Sequence, residues 1–250
     1  MPRLRAVARS VRSRLDGLSD WGTTGEREGQ YRHDVVADEV AVESLLAAGL
    51  GVVSEESGDH ATERSLVAVV DPVDGSTNAS LGVPWWATSI CVVDDVGPLA
   101  AVVVNQATGV SYDAVRGAGA RRDGRALPGS RTAPGRGERL AIVTTNGWPP
   151  ARPPSDQYRC LGASALDLCG VADRTFDAFV DNAAEGLAPW DYYGAMLVCA
   201  EAGALTEDIW GRGLLVPGHR DRRAPVAATT ASLLQELLAD RLGTGAPHPS

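Results

Sequence analysis

Residues 71–78 read Asp-Pro-Val-Asp-Gly-Ser-Thr-Asn and follow an apolar run of Leu66, Val67, Ala68, Val69 and Val70. An apolar run that does not alternate predicts a strand covered on both faces. Proline cannot extend a ladder and Gly75 permits a strained backbone angle, so the strand is expected to break into a tight turn at this point. Ser76, Thr77 and Asn78 then read as helix-opening residues. Asp71 and Asp74 are thereby placed at a strand end, immediately before a helix N-terminus whose free amides favour an anion. Hard cations such as Mg2+ take carboxylate and carbonyl oxygens and leave positions for phosphate and water. On this motif alone, an Asp-rich turn with a capping serine stays open as the plainer reading.

The chain has 250 residues, 44% of them hydrophobic, enough for a substantial core in one large domain or two small ones. All 23 basic residues are arginine, which excludes lysine Schiff-base chemistry and a Walker-type phosphate grip. A net charge of −9 argues against general affinity for nucleic acid. No apolar stretch is long enough to cross a bilayer, and the N-terminus lacks the apolar block of a signal peptide, so a cytoplasmic, membrane-free protein is expected. Cys91, Cys160, Cys169 and Cys199 stand apart in apolar contexts and are expected as small buried side chains, without a disulfide framework or a zinc site.

Residues 4–18 carry Leu4, Val7, Ala8, Val11, Leu15 and Leu18 at helical spacing, and Val35, Val42, Leu45 and Leu46 mark a second helix. Asp38 falls on the apolar side of that helix and needs a partner. Residues 51–53 form a short apolar run that ends in Ser54, Glu55 and Glu56. If this end lies beside Asp71, Glu55 can share a cation with it; two exposed loop glutamates are the alternative. Strands are expected over residues 87–93, 99–104 and 110–115, giving an antiparallel first half. Residues 126–137, rich in proline, glycine and arginine, read as a linker. Beyond it, strand and helix patterns alternate to the C-terminus, as in an α/β half. Asp191, in the first turn of a helix opened by Pro189 and Trp190, has helix-dipole complementarity as its simplest role.

These pieces, in this order, resemble the inositol monophosphatase family, the magnesium-dependent, lithium-sensitive phosphatases related to fructose-1,6-bisphosphatase. Residues 71–78 are close to the family's Asp-Pro-Ile/Leu-Asp-Gly-Thr-Thr-Asn. Trp190-Asp191 with Gly194, Ala195 and Glu201-Ala202-Gly203 is similar to its Trp-Asp and Glu-Ala-Gly-Gly block, and Ser54-Glu55-Glu56 to its Gly-Glu-Glu. The resemblance covers residues 34–242. It implies a layered αβαβα sandwich, with an N-terminal α+β half over residues 1–137, a C-terminal α/β half over 138–250, and the metal site between them.

The resemblance also implies site residues. Glu55, Asp71, Asp74 and Asp191 are the implied side-chain metal ligands, with the carbonyl of Val73. The amides of Gly75 and Ser76 would hold phosphate, and Ser76 with Asp38 and Glu55 would orient the attacking water. On the substrate side stand Gly162, Ala163 and Ser164, then Asp181 and Glu185. The implied activity is Mg2+-dependent hydrolysis of a small phosphate monoester, an inositol or sugar phosphate, with two or three ions, inhibition by Li+ and a homodimeric assembly. A nucleotide or 3'-phosphoadenosine 5'-phosphate is the second substrate reading, and a non-catalytic ligand-binding relative the reading from another class. The family's threonine before Asp38 is missing, and in place of its upstream lysine stand Arg27 or Arg32, whose bulkier fork fits a metal site less readily.

Overall fold

The computed structural model describes residues 1–26, 30–127, 142–148, 157–216 and 218–243, with residues 241–243 described by their backbone alone. Helix α1 (Pro2–Asp16) and helix α2 (Arg32–Ala47) come first, then strands β1 (Gly51–Ser54), β2 (Gly58–His60) and β3 (Val67–Asp74). The short helix α3 (Ser76–Leu81) follows, with β4 (Ala87–Asp94), β5 (Gly97–Asn105), β6 (Ser111–Val115), β7 (Ala120–Arg122) and β8 (Arg125–Ala126). The second part comprises β9 (Ile142–Asn146), β10 (Gln157–Arg159), α4 (Ser164–Ala172), β11 (Ala178–Asp181), α5 (Pro189–Ala202), β12 (Leu205–Asp208), β13 (Pro225–Ala228) and α6 (Ala231–Gly243).

Two sheets result, one ordered β2-β1-β3-β4-β5-β6-β7-β8 and the other β10-β9-β11-β13-β12. Alternation along the strands assigns their faces. Ala68, Val70, Ile90, Val92 and Val102 meet Val7, Val11, Ala41 and Leu45 of α1 and α2. Val69, Cys91, Ala101 and Val103, on the opposite face, meet α4 and α5, which also bury Phe179 and Ala227 of the second sheet. The far side of that sheet, with Val143, Val180 and Val226, is covered by Leu234 and Leu237 of α6. The layers therefore run αβαβα, as the resemblance implied, and the apolar run at 66–70 is covered on both sides, which explains its lack of alternation.

Several expectations need correction. Strand β3 does not end at Asp71-Pro72 but runs on to Asp74, because its pairing with β4 shifts register between Asp71 and Asp74. A bulge of this kind seats a proline where no ladder N–H is required. The first sheet is mixed, since β1 runs parallel to β3. Strands β2 and β10, three residues each, carry no sequence pattern long enough to foresee. Cys160 is exposed, unlike the other three cysteines. Most of the expected linker, with the boundary between residues 137 and 138, and Arg27 lie outside the described residues. Arg32 points elsewhere and pairs with Asp20 at 2.9 Å.

Candidate active site

The turn after β3 is built by its own side chains. Asp71 Oδ1 accepts the Val73 N–H at 2.9 Å, and the Ser76 hydroxyl donates to the Val73 carbonyl at 2.9 Å. Gly75, with φ +90°, is the residue before α3, and a Cβ there would lie 2.9 Å from the Gly162 carbonyl oxygen. No L side chain suits that backbone angle or that space. Asn78 Nδ2 donates to the carbonyls of Trp85 and Leu161, each at 2.7 Å, which ties the 161–163 segment to α3. Asp74 in turn accepts the N–H groups of Ser164 at 3.2 Å and Ala165 at 2.8 Å. The carboxylate thus faces the N-terminus of α4, where free amides and the helix dipole favour negative charge.

Two further acids are delivered by other elements. Parallel pairing of Ser54 with Val70 carries Glu55 past the end of β1, where its N–H bonds the Val70 carbonyl at 3.2 Å. Asp191, in the first turn of α5, accepts the Ala188 N–H at 2.8 Å, so the dipole role read from its sequence position is realised as well. Helix α5 reaches this place because Gly194 lets it close on the sheet: a Cβ there would stand 3.0 Å from Ser89 Oγ.

The acids feel one another. Burial first, then the charge of Asp191, pushes Glu55 up to about 8, and its carboxyl is close enough to Asp71 to share a hydrogen bond. Burial and then the charge of Glu55 raise Asp71 well above the usual carboxylate range. Asp74 is raised by burial and by Asp191. Burial lifts Asp191 to about 6 against the opposing pull of the Ala188 N–H and Arg222. Asp71, Asp74 and Asp191 are each turned in part onto a backbone amide, and among the described residues no three His, Cys, Asp or Glu side chains are drawn tightly enough to enclose a metal ion as they stand. The donor set nonetheless suits a hard divalent cation. It is all oxygen, concentrated, and electrostatically penalised without a positive charge.

The remaining residues separate into those brought to this turn and those placed away from it. Asp38 is buried and its Oδ1 accepts the Ser54 hydroxyl, which supplies the partner its inward position required. Among the described residues no hydrogen bond joins Asp38 to Ser76, whose hydroxyl goes to Val73, so the expected pairing of the two is replaced by these separate bonds. Gly162, Ala163 and Ser164 lie against Gly75 and Asp74. Asp181 is fully buried, and its Oδ1 accepts Asn146 Nδ2 at 3.0 Å and the Ala183 N–H at 3.1 Å, which makes it a turn-holding side chain. Glu185 is exposed on the following turn.

Three features escaped the sequence reading. His219 Nε2 lies 3.1 Å from the Ser54 carbonyl, and its ring centroid is 4.6 Å from that of Trp190. Arg222 stands over the same indole at 5.3 Å. Asp167, buried beside this region, accepts Trp85 Nε1–H at 2.8 Å, and burial holds it well above the usual carboxylate range. The crowding of arginine over residues 212–223 was the available signal for the second.

The chain is 28% identical over 206 residues to a fructose-1,6-bisphosphatase of Pyrococcus furiosus, covering 82% of this chain and 80% of that one. It is 31% identical over 172 residues to the Nus factor SuhB of Salmonella typhimurium, covering 64% and 63%. A solved structure from Pyrococcus horikoshii, described as having similarities to inositol-1 monophosphatase, superposes with a TM-score of 0.83 at 23% identity over 94% of this chain and 95% of that one. The description of the inositol monophosphatase family matches residues 7–243, a span that takes in both sheets and every acid of the turn, and the chain accordingly belongs to that family.

Proposed function

We propose that this phosphatase hydrolyses a small phosphate monoester, an inositol or sugar phosphate, with Mg2+ held by Glu55, Asp71, Asp74, Asp191 and the Val73 carbonyl. One observation carries the reading: Glu55 just past β1, Asp71 and Asp74 of β3, and Asp191 of α5 meet at a single turn, where, besides burial, the charge of Asp191 raises the pKa of the other three. Bound there, Mg2+ supplies a lowered pKa to water and neutralises charge on the leaving oxygen. The chain's own residues do the rest. The amides of Gly75 and Ser76 precede the first intrahelical bond of α3, from Ala79 N–H to the Gly75 carbonyl, and are free to orient phosphate. The Ser76 hydroxyl, which donates its hydrogen bond to the Val73 carbonyl, has lone pairs left to accept from a water. Glu55, whose carboxyl shares a hydrogen bond with Asp71, would help Ser76 orient that water. Asp38 fixes Ser54, and through it the backbone that carries Glu55. Water attacks phosphorus directly, the ester P–O bond breaks, and the alcohol leaves with the proton.

We further read the protein as a homodimer of two unequal halves per chain, to be checked by light scattering. The experiment for function is phosphate release from inositol phosphates, sugar phosphates, nucleotides and 3'-phosphoadenosine 5'-phosphate, with Mg2+, with chelator, and with Li+. Mg2+-dependent, Li+-sensitive release from an inositol or sugar phosphate is the expected result. Release from the nucleotides alone would replace the substrate class. Binding without release from any ester would replace the enzyme by a ligand-binding relative, the reading favoured if the bond of Asp38 to Ser54 excludes it from positioning water.

A further inference from the structure

His219 sits in a tight turn closed by reciprocal bonds: the Gly218 N–H donates to Asp221 Oδ2 at 2.8 Å, and the Asp221 N–H to the Gly218 carbonyl at 3.1 Å. Arg222 braces the turn from the other side. Its Nη1 donates to the His219 carbonyl at 3.0 Å, while its guanidinium lies 5.3 Å from the centre of the Trp190 ring. The backbone of Arg223 exchanges two hydrogen bonds with Leu187, at 2.7 and 2.9 Å, two residues before α5 begins. The turn is therefore carried on the same frame as Trp190 and Asp191.

From this frame the half-buried imidazole reaches across to the end of β1. Its Nε2 stands 3.1 Å from the Ser54 carbonyl, and its ring centroid 4.6 Å from that of Trp190. A carbonyl only accepts, so Nε2 is the nitrogen that bears the proton. The peptide joining Ser54 to Glu55 is gripped at both ends as a result. Its carbonyl takes the His219 N–H, and its own N–H donates to the Val70 carbonyl at 3.2 Å, one residue before Asp71. One peptide thus links the ends of β1 and β3 to the start of α5, and His219 is the side chain that completes the third connection.

This connection opposes a repulsion. Burial first, and then the charge of Asp191, raises Glu55, so the two carboxylates push apart while no cation lies between them. A site already held at its binding geometry loses less to reorganisation when the ion arrives. We propose that His219 is a positioning residue for the cation site: its bond to the Ser54 carbonyl and its stack on Trp190 set the spacing of Glu55 and Asp191 before Mg2+ binds. The proposal rests on the metal assignment above and deepens it. A His219 that only fastened residues 218–223 to the molecule would contribute stability and leave Mg2+ affinity untouched.

The test is calorimetric titration of Mg2+ into substrate-free protein, for wild type, His219→Phe and His219→Gln, with Tm in chelator as the check on folding. Phenylalanine keeps a ring against the indole and removes the donor; glutamine keeps an N–H donor and removes the ring. His219→Phe is expected to weaken Mg2+ binding about tenfold, the lower end of what partners behind a metal ligand contribute. The Mg2+ concentration for half-maximal phosphate release should rise in parallel, with kcat at saturating Mg2+ little changed, and His219→Gln should recover part of the loss. Wild-type Mg2+ affinity in a folded His219→Phe would overturn the proposal. So would a wild-type His219 whose Nε2 carries no proton in long-range 1H–15N NMR, a measurement that needs no variant. Failure of the metal assignment itself looks different: wild type then takes up no Mg2+, or Asp191→Asn binds it as tightly as wild type does.

Discussion

Glu55 has a folded-state pKa raised from an ordinary 4.5 to about 8, by burial and then by Asp191, so the folded protein holds its proton more tightly than the unfolded chain. The stability this contributes is present below about 4.5 and is lost as pH rises towards 8. In chelator, Tm should therefore decline between pH 5 and 8, and the rise in Tm on adding Mg2+ should be larger at pH 8 than at pH 6. An Mg2+ shift that is the same at both values would remove Glu55 from the cation site. Asp191→Asn gives a second check at this scale. It should lower kcat by more than about a hundredfold, since partners merely supporting a metal ligand already cost up to about that much. Its Tm in chelator should match or exceed wild type, because one of several repelling acids is neutralised. Near-normal turnover would undo the metal assignment. Glu55, Asp71, Asp74 and Asp191 were picked out in the sequence through the family resemblance, since each alone had a plainer local reading as a turn, loop or helix-start acid. Their mutual repulsion was not, because it depends on distances between elements far apart in the chain.

At the scale of elements, α5 is the piece whose placement decides the site, and its glycine is the contact point. Gly194 faces Ser89 Oγ at 3.0 Å and Val103 Cγ2 at 3.3 Å, so a methyl group there forces the helix away from β4 and β5. Gly194→Ala should destabilise by roughly 1–3 kcal/mol, the usual cost of overpacking, and should lower activity by displacing Asp191. Unchanged denaturant midpoint and activity would show that the neighbours give way freely. The sequence marked α5 by its Pro189-Trp190-Asp191 opening and α2 by its apolar spacing. It misplaced the end of β3, because the register shift that accommodates Pro72 is set by the partner strand β4. It read Asp181 as a substrate contact, and the structure adds that its Oδ1 accepts from Asn146 and Ala183 at the end of β11.

At the scale of the molecule, α4 and α5 form a layer shared by both sheets. Val69, Cys91, Ala101 and Val103 of the first sheet and Phe179 and Ala227 of the second are buried in the same core. A fragment ending at residue 137 would expose that face of the first sheet. It should aggregate or melt without a cooperative transition, while the whole chain unfolds in one calorimetric step; a fragment with a sharp, reversible melt would show that the N-terminal half is a domain in its own right. By itself, the sequence determined an apolar strand run, a tight acidic turn and alternating strands and helices beyond it, because burial periodicity and turn chemistry are local; the layer order and the set of acids came through the resemblance carried by residues 54–56, 71–78 and 190–203. Only the tertiary structure decided which partner each acid takes, that Asp38 bonds Ser54, that Asp181 is sealed in, and that Arg222 and His219 arrive beside Trp190. Those outcomes depend on packing between segments distant in the chain, where the separation of two side chains is set by every layer between them and no local pattern records it.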